Sequence, residues 1–323
     1  MTATLLQTTN TYLVGSPDRA TVIITNSDQP VFTTVVSNLN LPVGIDYYSP
    51  SNVLIVSLNF NTGLPLNFIQ VSTNDATTNW TTISNMTGEI NLACVRSTNG
   101  GWSVGDLYFN TDQRGQIGRV PDATNSFTTN WITLADSVVQ GLYFDQTGVF
   151  TNNLVAATAG SGNVWLITSL GQSNMLASIG LPLECVLTLP NDSNKYGPWA
   201  GKILTGNESD FRLFTIDTNG VVTPWPFAAP AENLNLIPAN QDLYAVDAGM
   251  QGSTNGRVWK ISRNAFTNYV GDILVTHEGN LDGQPRHLIV HWDGTSFVTT
   301  DLINTNALNY EQATFGPVSF DSH

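Results

Sequence analysis

Lysine is nearly missing from this chain: Lys195, Lys202 and Lys260 are the only ones. Lys and Arg together number 11 against 25 Asp and Glu, a net charge of −14. Phosphate backbones are held through basic side chains, so the balance argues against nucleic acid as a partner. The same field argues against anionic membrane surfaces. No run of about 18 apolar residues occurs, so no membrane-spanning helix is expected. Amphipathic helical stretches of useful length are missing too. Cysteine is limited to Cys94 and Cys185. They fall two repeat units apart, too far for the roughly 7 Å between Cα atoms that a disulfide tolerates, so both are expected to be buried free thiols. There is no Gly-x-Ser-x-Gly elbow, no His-Glu-x-x-His and no Walker loop. The first residues, MTATLLQTTNTYLVG, lack the basic flank and continuous apolar core of a secretory signal. A cytoplasmic compartment is favoured, or a secreted one if a leader was removed.

What the chain does have is Asn, Thr and Ser, with 41% apolar and only 11% charged residues over 323 positions. Such a mixture suits strands, edges and turns better than helix surfaces. Four segments repeat one signature, an acidic residue leading an apolar run: GEINLACV (88–95), LPLECVLTL (181–189), AENLNLI (231–237) and YEQATFGP (310–317). VGIDYYSP (43–50) and VQGLYFDQ (139–146) have the same shape around Asp46 and Gln140. Most gaps are one or two units of about 45–50 residues, the period of propeller blades.

Second strands follow at NVLIVSLN (52–59), VGDLYFNTD (104–112), NNLVAATA (152–159), AGKILTGNE (200–208) and VGDILVTHE (270–278). Third strands are expected around 115–120, 162–168, 211–217 and 286–292, and fourth ones around 79–84, 130–135, 221–227 and 296–302. Gly, Asn and Asp between them mark antiparallel meanders. The expected fold is all-β, a six-bladed β-propeller forming one domain over 1–323. N-terminal strands at 11–15, 20–26 and 31–37 would pair with the C-terminal inner strand to close the ring, leaving no free sheet edge. The hairpin at 241–262 fits less well: it reads as an insertion in one blade, with a seventh blade as the alternative.

GPWAGKILTGNE followed by FRLFTIDTNGVV (197–222), DLYAVDAG with GRVWKIS, and YEQATFGP resemble the six-bladed propellers of the gluconolactonase/strictosidine-synthase/NHL-like superfamily. The resemblance covers most of the chain at the level of fold. Lactonase members hold a divalent metal, often calcium, in the central channel through an inner-strand Glu with Asn and Asp from other blades. The resemblance implies that Glu89, Glu184, Glu232 and Glu311 match that acid, with Asn91, Asn233 and Asn235 as amide partners. No diagnostic context for the separated Asn and Asp ligands is present.

Propeller geometry brings the starts of first strands and the ends of second strands to one rim. Glu89, Glu184, Glu232 and Glu311, with Asp46 slightly further in, are therefore expected to form a metal site with Glu208 and Glu278 close by. So many hard oxygen donors suit Ca²⁺, or else Mg²⁺, rather than zinc. Glu278 beside His277 is the candidate acid/base pair for a metal-dependent lactonase or esterase. Glu208, Asn233, Asn235, Trp199 and Tyr196 are the candidate ligand pocket. The alternative is a non-catalytic propeller, lectin-like or structural. The expected partner is a small molecule or sugar, and the expected state is a monomer.

Overall fold

The computed structural model describes residues 30–62, 64, 67–72, 76–81, 83–121, 126–250, 254–279 and 283–318. The strands expected at 11–15 and 20–26 lie outside these residues. The described chain begins with β1 (Phe32–Leu39) and then builds four meanders in succession. The first blade is β2 (Ile45–Tyr48), β3 (Val53–Ser57), β4 (Phe68–Val71) and β5 (Thr77–Asn79), and the second is β6 (Leu92–Cys94), β7 (Leu107–Asn110), β8 (Gln116–Val120) and β9 (Thr128–Thr133). The third is β10 (Val139–Phe144), β11 (Leu154–Thr158), β12 (Asn163–Ile167) and β13 (Ser173–Ser178). The fourth is β14 (Cys185–Thr188), β15 (Ile203–Gly206), β16 (Arg212–Ile216) and β17 (Val222–Pro226), with α1 (Ser193–Tyr196) between its first two strands.

The last two blades interleave. β18 (Asn233–Leu236) starts the fifth blade, but β19 (Asp242–Asp247) and β20 (Gly256–Ile261) leave it before β21 (Ile273–His277), β22 (Arg286–Trp292) and β23 (Phe297–Ile303) complete it. β24 (Tyr310–Gly316) is the inner strand of the sixth sheet, whose order is β24, β19, β20, β1 from axis to rim. The N-terminal strand and the C-terminal inner strand therefore share the closing blade, but they do not pair with each other as the sequence suggests: β1 pairs with β20 and β24 with β19. The 241–262 hairpin is a correction to the sequence reading: it is no insertion, but supplies the two middle strands between them. The described residues form six four-stranded sheets, all antiparallel, and the fold is a six-bladed β-propeller.

Ring closure is visible in the packing. Six apolar clusters occur, each filled from two successive sheets, including one that joins Val35, Val36 and Tyr244 of the sixth blade to Ile45, Leu54 and Val56 of the first. Side chains alternate across a strand, and here both faces are covered. Leu107 and Phe109 of β7 enter the gap with the first blade, and Tyr108 enters the gap with the third. Ile273 and Val275 of β21 face the fourth blade while Leu274 faces the sixth. That is why the second strands read as continuous apolar runs rather than as an alternation. The outer strands are polar: β5 is exposed throughout and β9 mostly so.

Close approach near the axis requires small residues. A Cβ on Gly44, just before β2, would lie 2.2 Å from the Ile90 carbonyl oxygen. Ser57 Oγ fills that space, accepting from Gly44 N at 2.7 Å and donating to Ile90 O at 2.7 Å. Further ties cross the axis. Gln312 Oε1 accepts from Ile45 N and Leu92 N, each at 3.0 Å, and its Nε2 donates to Leu92 O at 2.9 Å. One side chain thus joins the sixth, first and second blades. Among the described residues no helix is long and apolar enough to cross a membrane.

Candidate metal centre

Five inner strands bring a polar residue to the end where they start. Glu184 and Glu232 immediately precede β14 and β18, Glu311 is the second residue of β24, and Glu89 lies three residues before β6. The third blade contributes Gln140, whose Nε2 donates to Glu89 Oε2 at 2.7 Å. The second strands return to the same end and deliver Glu208 after β15 and Glu278 after β21. Carboxylate oxygens of Glu89, Glu232 and Glu311 all lie within 4.8 Å of one another, and so do those of Glu208, Glu232 and Glu278. The two groups share Glu232. The sequence-expected convergence of glutamates is present in the structure.

Burial and mutual repulsion both disfavour the ionised forms. Burial, then the Glu208 carboxylate, pushes Glu89 up to about 7 against the opposing Gln140 and Asn91 amides. Glu184 is pushed up to about 9 by burial and then by Glu89, Glu208 and Glu278. Glu278 rises to about 8 through burial and a hydrogen bond shared with Glu208. Glu232 and Glu311 are also raised, first by burial and then by Glu89. Asn309 Nδ2 donates to Glu311 Oε1 at 2.9 Å. Two carboxylate oxygens, Glu89 Oε1 and Glu184 Oε2, are buried with no hydrogen-bond donor. An acceptor left bare in a buried acidic cluster is unfavourable unless a proton or cation meets it. The donor set is all oxygen, which fits a hard divalent cation.

Asp46 is not part of this group, which corrects the sequence reading. It hydrogen-bonds Thr314 Oγ1 at 2.7 Å, three residues beyond Glu311 along β24, or about 10 Å along the channel. There it pairs with the Arg96 guanidinium and accepts from Cys94 N at 2.6 Å. Arg96 Nη1 donates to Phe315 O at 3.1 Å and Nη2 to Thr314 Oγ1 at 2.7 Å. Trp199 and Tyr196 are corrected as well. Both are core residues: Trp199 stacks on Phe297 at 3.6 Å between ring centroids, and Tyr196 donates to Gly271 O at 2.9 Å.

His277 is buried at 1% exposure, unlike Glu278 beside it, which is half-buried. The groups that perturb Glu278 are other carboxylates and Asn309. His287 lies against Tyr310, with centroids 4.3 Å apart, and burial pushes it down to about 3. His291 instead bonds Asp272 at 3.0 Å, so the two histidines of β22 form no pair. Asn233 Oδ1 accepts from Asn235 Nδ2 at 2.6 Å and from Ala313 N at 3.3 Å, tying β18 to β24. Both cysteines are free and buried.

The channel widens into a cavity of about 320 Å³. Glu184 and Glu232 line one end of it, and Asp46, Arg96, Gln241 and Phe315 line the other. Asn233 and Asn235 also line it, whereas Glu208, Glu278 and His277 do not.

No protein-family model matches the sequence, and no curated protein does. Solved structures are similar at the level of the propeller. A streptogramin B lyase has TM-score 0.48 and 10% identity, covering 86% of this chain and 89% of its own. A structure described as a putative gluconolactonase has TM-score 0.48 and 10% identity, covering 88% and 95%. A gluconolactonase from Xanthomonas campestris has TM-score 0.35 and 13% identity, covering 72% and 89%.

Arg96, Gln312 and Asn110 are the axial residues that sequence reasoning missed. Asn110 Nδ2 donates to Glu89 O at 2.7 Å and Val139 O at 2.8 Å, fixing the backbone that carries Glu89. The available signal was polarity inside inner- and second-strand apolar runs: Gln312 follows Glu311, and Asn110 ends LYFN.

Proposed function

We propose that this propeller binds a divalent cation, Ca²⁺ with Mg²⁺ as the next choice, at the starting end of its axis. Glu89, Glu232 and Glu311 hold it, with Glu184 beside them. The observation that supports this most directly is the pair of buried, donor-less oxygens on Glu89 and Glu184, Glu89 within the five clustered glutamates and Glu184 raised by the charge of three of them. The concrete enzymatic version is a metal-dependent hydrolase of a lactone or ester. A bound cation of this kind polarises a carbonyl oxygen or lowers the pKa of water. Glu278, raised to about 8, is poised to take up and return a proton near neutral pH. Glu208, hydrogen-bonded to it, holds that proton in place, and the Gln140 and Asn309 amides fix the orientation of Glu89 and Glu311.

A second reading, a propeller that binds a small molecule or sugar without turning it over, is favoured by one observation. The channel cavity is lined by Glu184 and Glu232 but not by Glu278. The two readings are separated by metal analysis of the purified protein, followed by a lactone and ester turnover screen with and without chelator. The hydrolase reading expects turnover that chelation abolishes and that Glu278→Gln removes while calcium still binds. Calcium binding without turnover leaves the non-catalytic reading. Absence of calcium and magnesium binding overturns both forms of the cation proposal.

A further inference from the structure

The cavity end remote from the glutamates has a chemistry of its own. Its full charges there are Asp46 and Arg96, which are paired with each other. Thr314 Oγ1 and Phe315 O hold the guanidinium in place, and Asp46 is only 9% exposed, so the pair is fixed and presents no net charge. Around it stand Tyr143, Gln146 and Gln241, whose side chains make no hydrogen bond to any described residue. A phenol and two amides offer donors and acceptors side by side, the pattern that a hydroxyl group, itself donor and acceptor, satisfies best. Ala93, Leu236 and Ala313 provide apolar wall between them. The opposite end is acidic, which repels an anion entering the channel. The whole cavity, from Glu184 and Glu232 to Arg96, is about 320 Å³, at the lower end of small-molecule sites and enough for one ring. A second cavity of about 260 Å³ shares Cys94, Arg96, Phe144 and Gln146 with the first.

We infer that this half of the channel is a binding site for a small neutral polyhydroxylated molecule, of the size of one sugar ring, entering by the Arg96 mouth rather than past the glutamates. Tyr143, Gln146 and Gln241 read its hydroxyls, and the Asp46–Arg96 pair forms the rigid wall against which it sits. The inference does not depend on the cation: it uses a different set of side chains about 10 Å further along the channel.

The test is saturation-transfer NMR and calorimetry on the full chain with chelator present, using D-glucose and myo-inositol as neutral probes and D-glucuronate as the charge-altered one. Expected are saturable binding of at least one neutral probe and roughly tenfold weaker binding of glucuronate. Gln146→Ala, Gln241→Ala and Tyr143→Phe are each expected to weaken the neutral probe about three- to tenfold, the loss of one hydrogen bond. Gln146 is exposed, so its variant keeps the fold and keeps the test decisive. Failure of both neutral probes to bind, equal or tighter binding of glucuronate, or indifference of affinity to all three substitutions overturns the inference. Because chelator is present throughout, such a failure leaves calcium binding at the glutamates untouched, and loss of calcium binding leaves this site standing.

Discussion

At the scale of single residues, Glu184 is the most informative position. Its side chain is 7% exposed, its Oε2 has no donor, and its carboxyl is pushed from the ordinary 4.5 up to about 9. A carboxyl raised in the folded state stabilises the protein fully below its unfolded value and loses that contribution as pH climbs through the folded value. Glu184→Gln replaces it with a group that never ionises. In chelated protein the variant is therefore expected to melt with the parent at pH 5 and several degrees above it at pH 9, checked by calorimetry across that range. Calcium affinity should fall by roughly two orders of magnitude in the same variant. A substitution that stabilises the metal-free chain while weakening the metal is a signature a purely structural glutamate does not give. If Glu184→Gln destabilises at pH 9, the repulsion argument is wrong.

At the scale of elements, the ring is held by apolar filling between blades and by a few polar ties near the axis. Gln312 makes three hydrogen bonds to the backbones of β2 and β6. Removing it strands two buried N–H groups and a carbonyl, so Gln312→Ala is expected to cost about 3 kcal/mol in denaturant unfolding. Val36→Asp, placing a charge from β1 into the gap with the first blade, should cost at least as much, because β1 closes the ring. The inner strands were legible in sequence because an acid before an apolar run is a local pattern, repeated at blade spacing. Second strands were legible as apolar runs, since both their faces are buried. The fourth strand of the first blade was misplaced: the sequence suggested 79–84, but the strand is Thr77–Asn79, and the apolar Ile83 beyond it fills a gap while its carbonyl accepts from Asn67 N at 3.0 Å. β13, the polar SNMLAS, gave no signal because an outer edge strand needs no apolar face. The 241–262 hairpin was recognised as a hairpin but not as the middle of the closing blade, since its partners, β24 and β1, come from opposite ends of the sequence. For the same reason the Asp46–Arg96–Thr314 set was invisible: its members are remote in sequence and meet only once the ring closes.

At the scale of the molecule, charge and topology work against each other. The chain carries a net charge of −14, and six of its carboxylates are concentrated at one end of the axis. In an open sheet such groups would relax by moving apart. Here six apolar clusters fix the blades around the ring, so the charge must be neutralised in place, by protons or by a cation. With chelator present, protons are what remains. The folded-state values of about 7 for Glu89, about 8 for Glu278 and about 9 for Glu184 all exceed the ordinary 4.5. Folding therefore takes up protons over that window, and stability of the metal-free protein should fall steadily as pH rises from about 5 to 9. Calcium, which binds the ionised form, should raise the melting temperature little at pH 5 and most at pH 9. Its contribution is about 2.7 kcal/mol at a free concentration a hundred times the dissociation constant. Scanning calorimetry at pH 5, 7 and 9, with chelator and with calcium, gives six melting temperatures that test this directly. Two curves that diverge upward in pH are the expected result. Parallel curves, or a chelated protein that is more stable at pH 9 than at pH 5, would mean that the axial carboxylates are ionised and tolerated without a partner, and the cation proposal would lose its driving force.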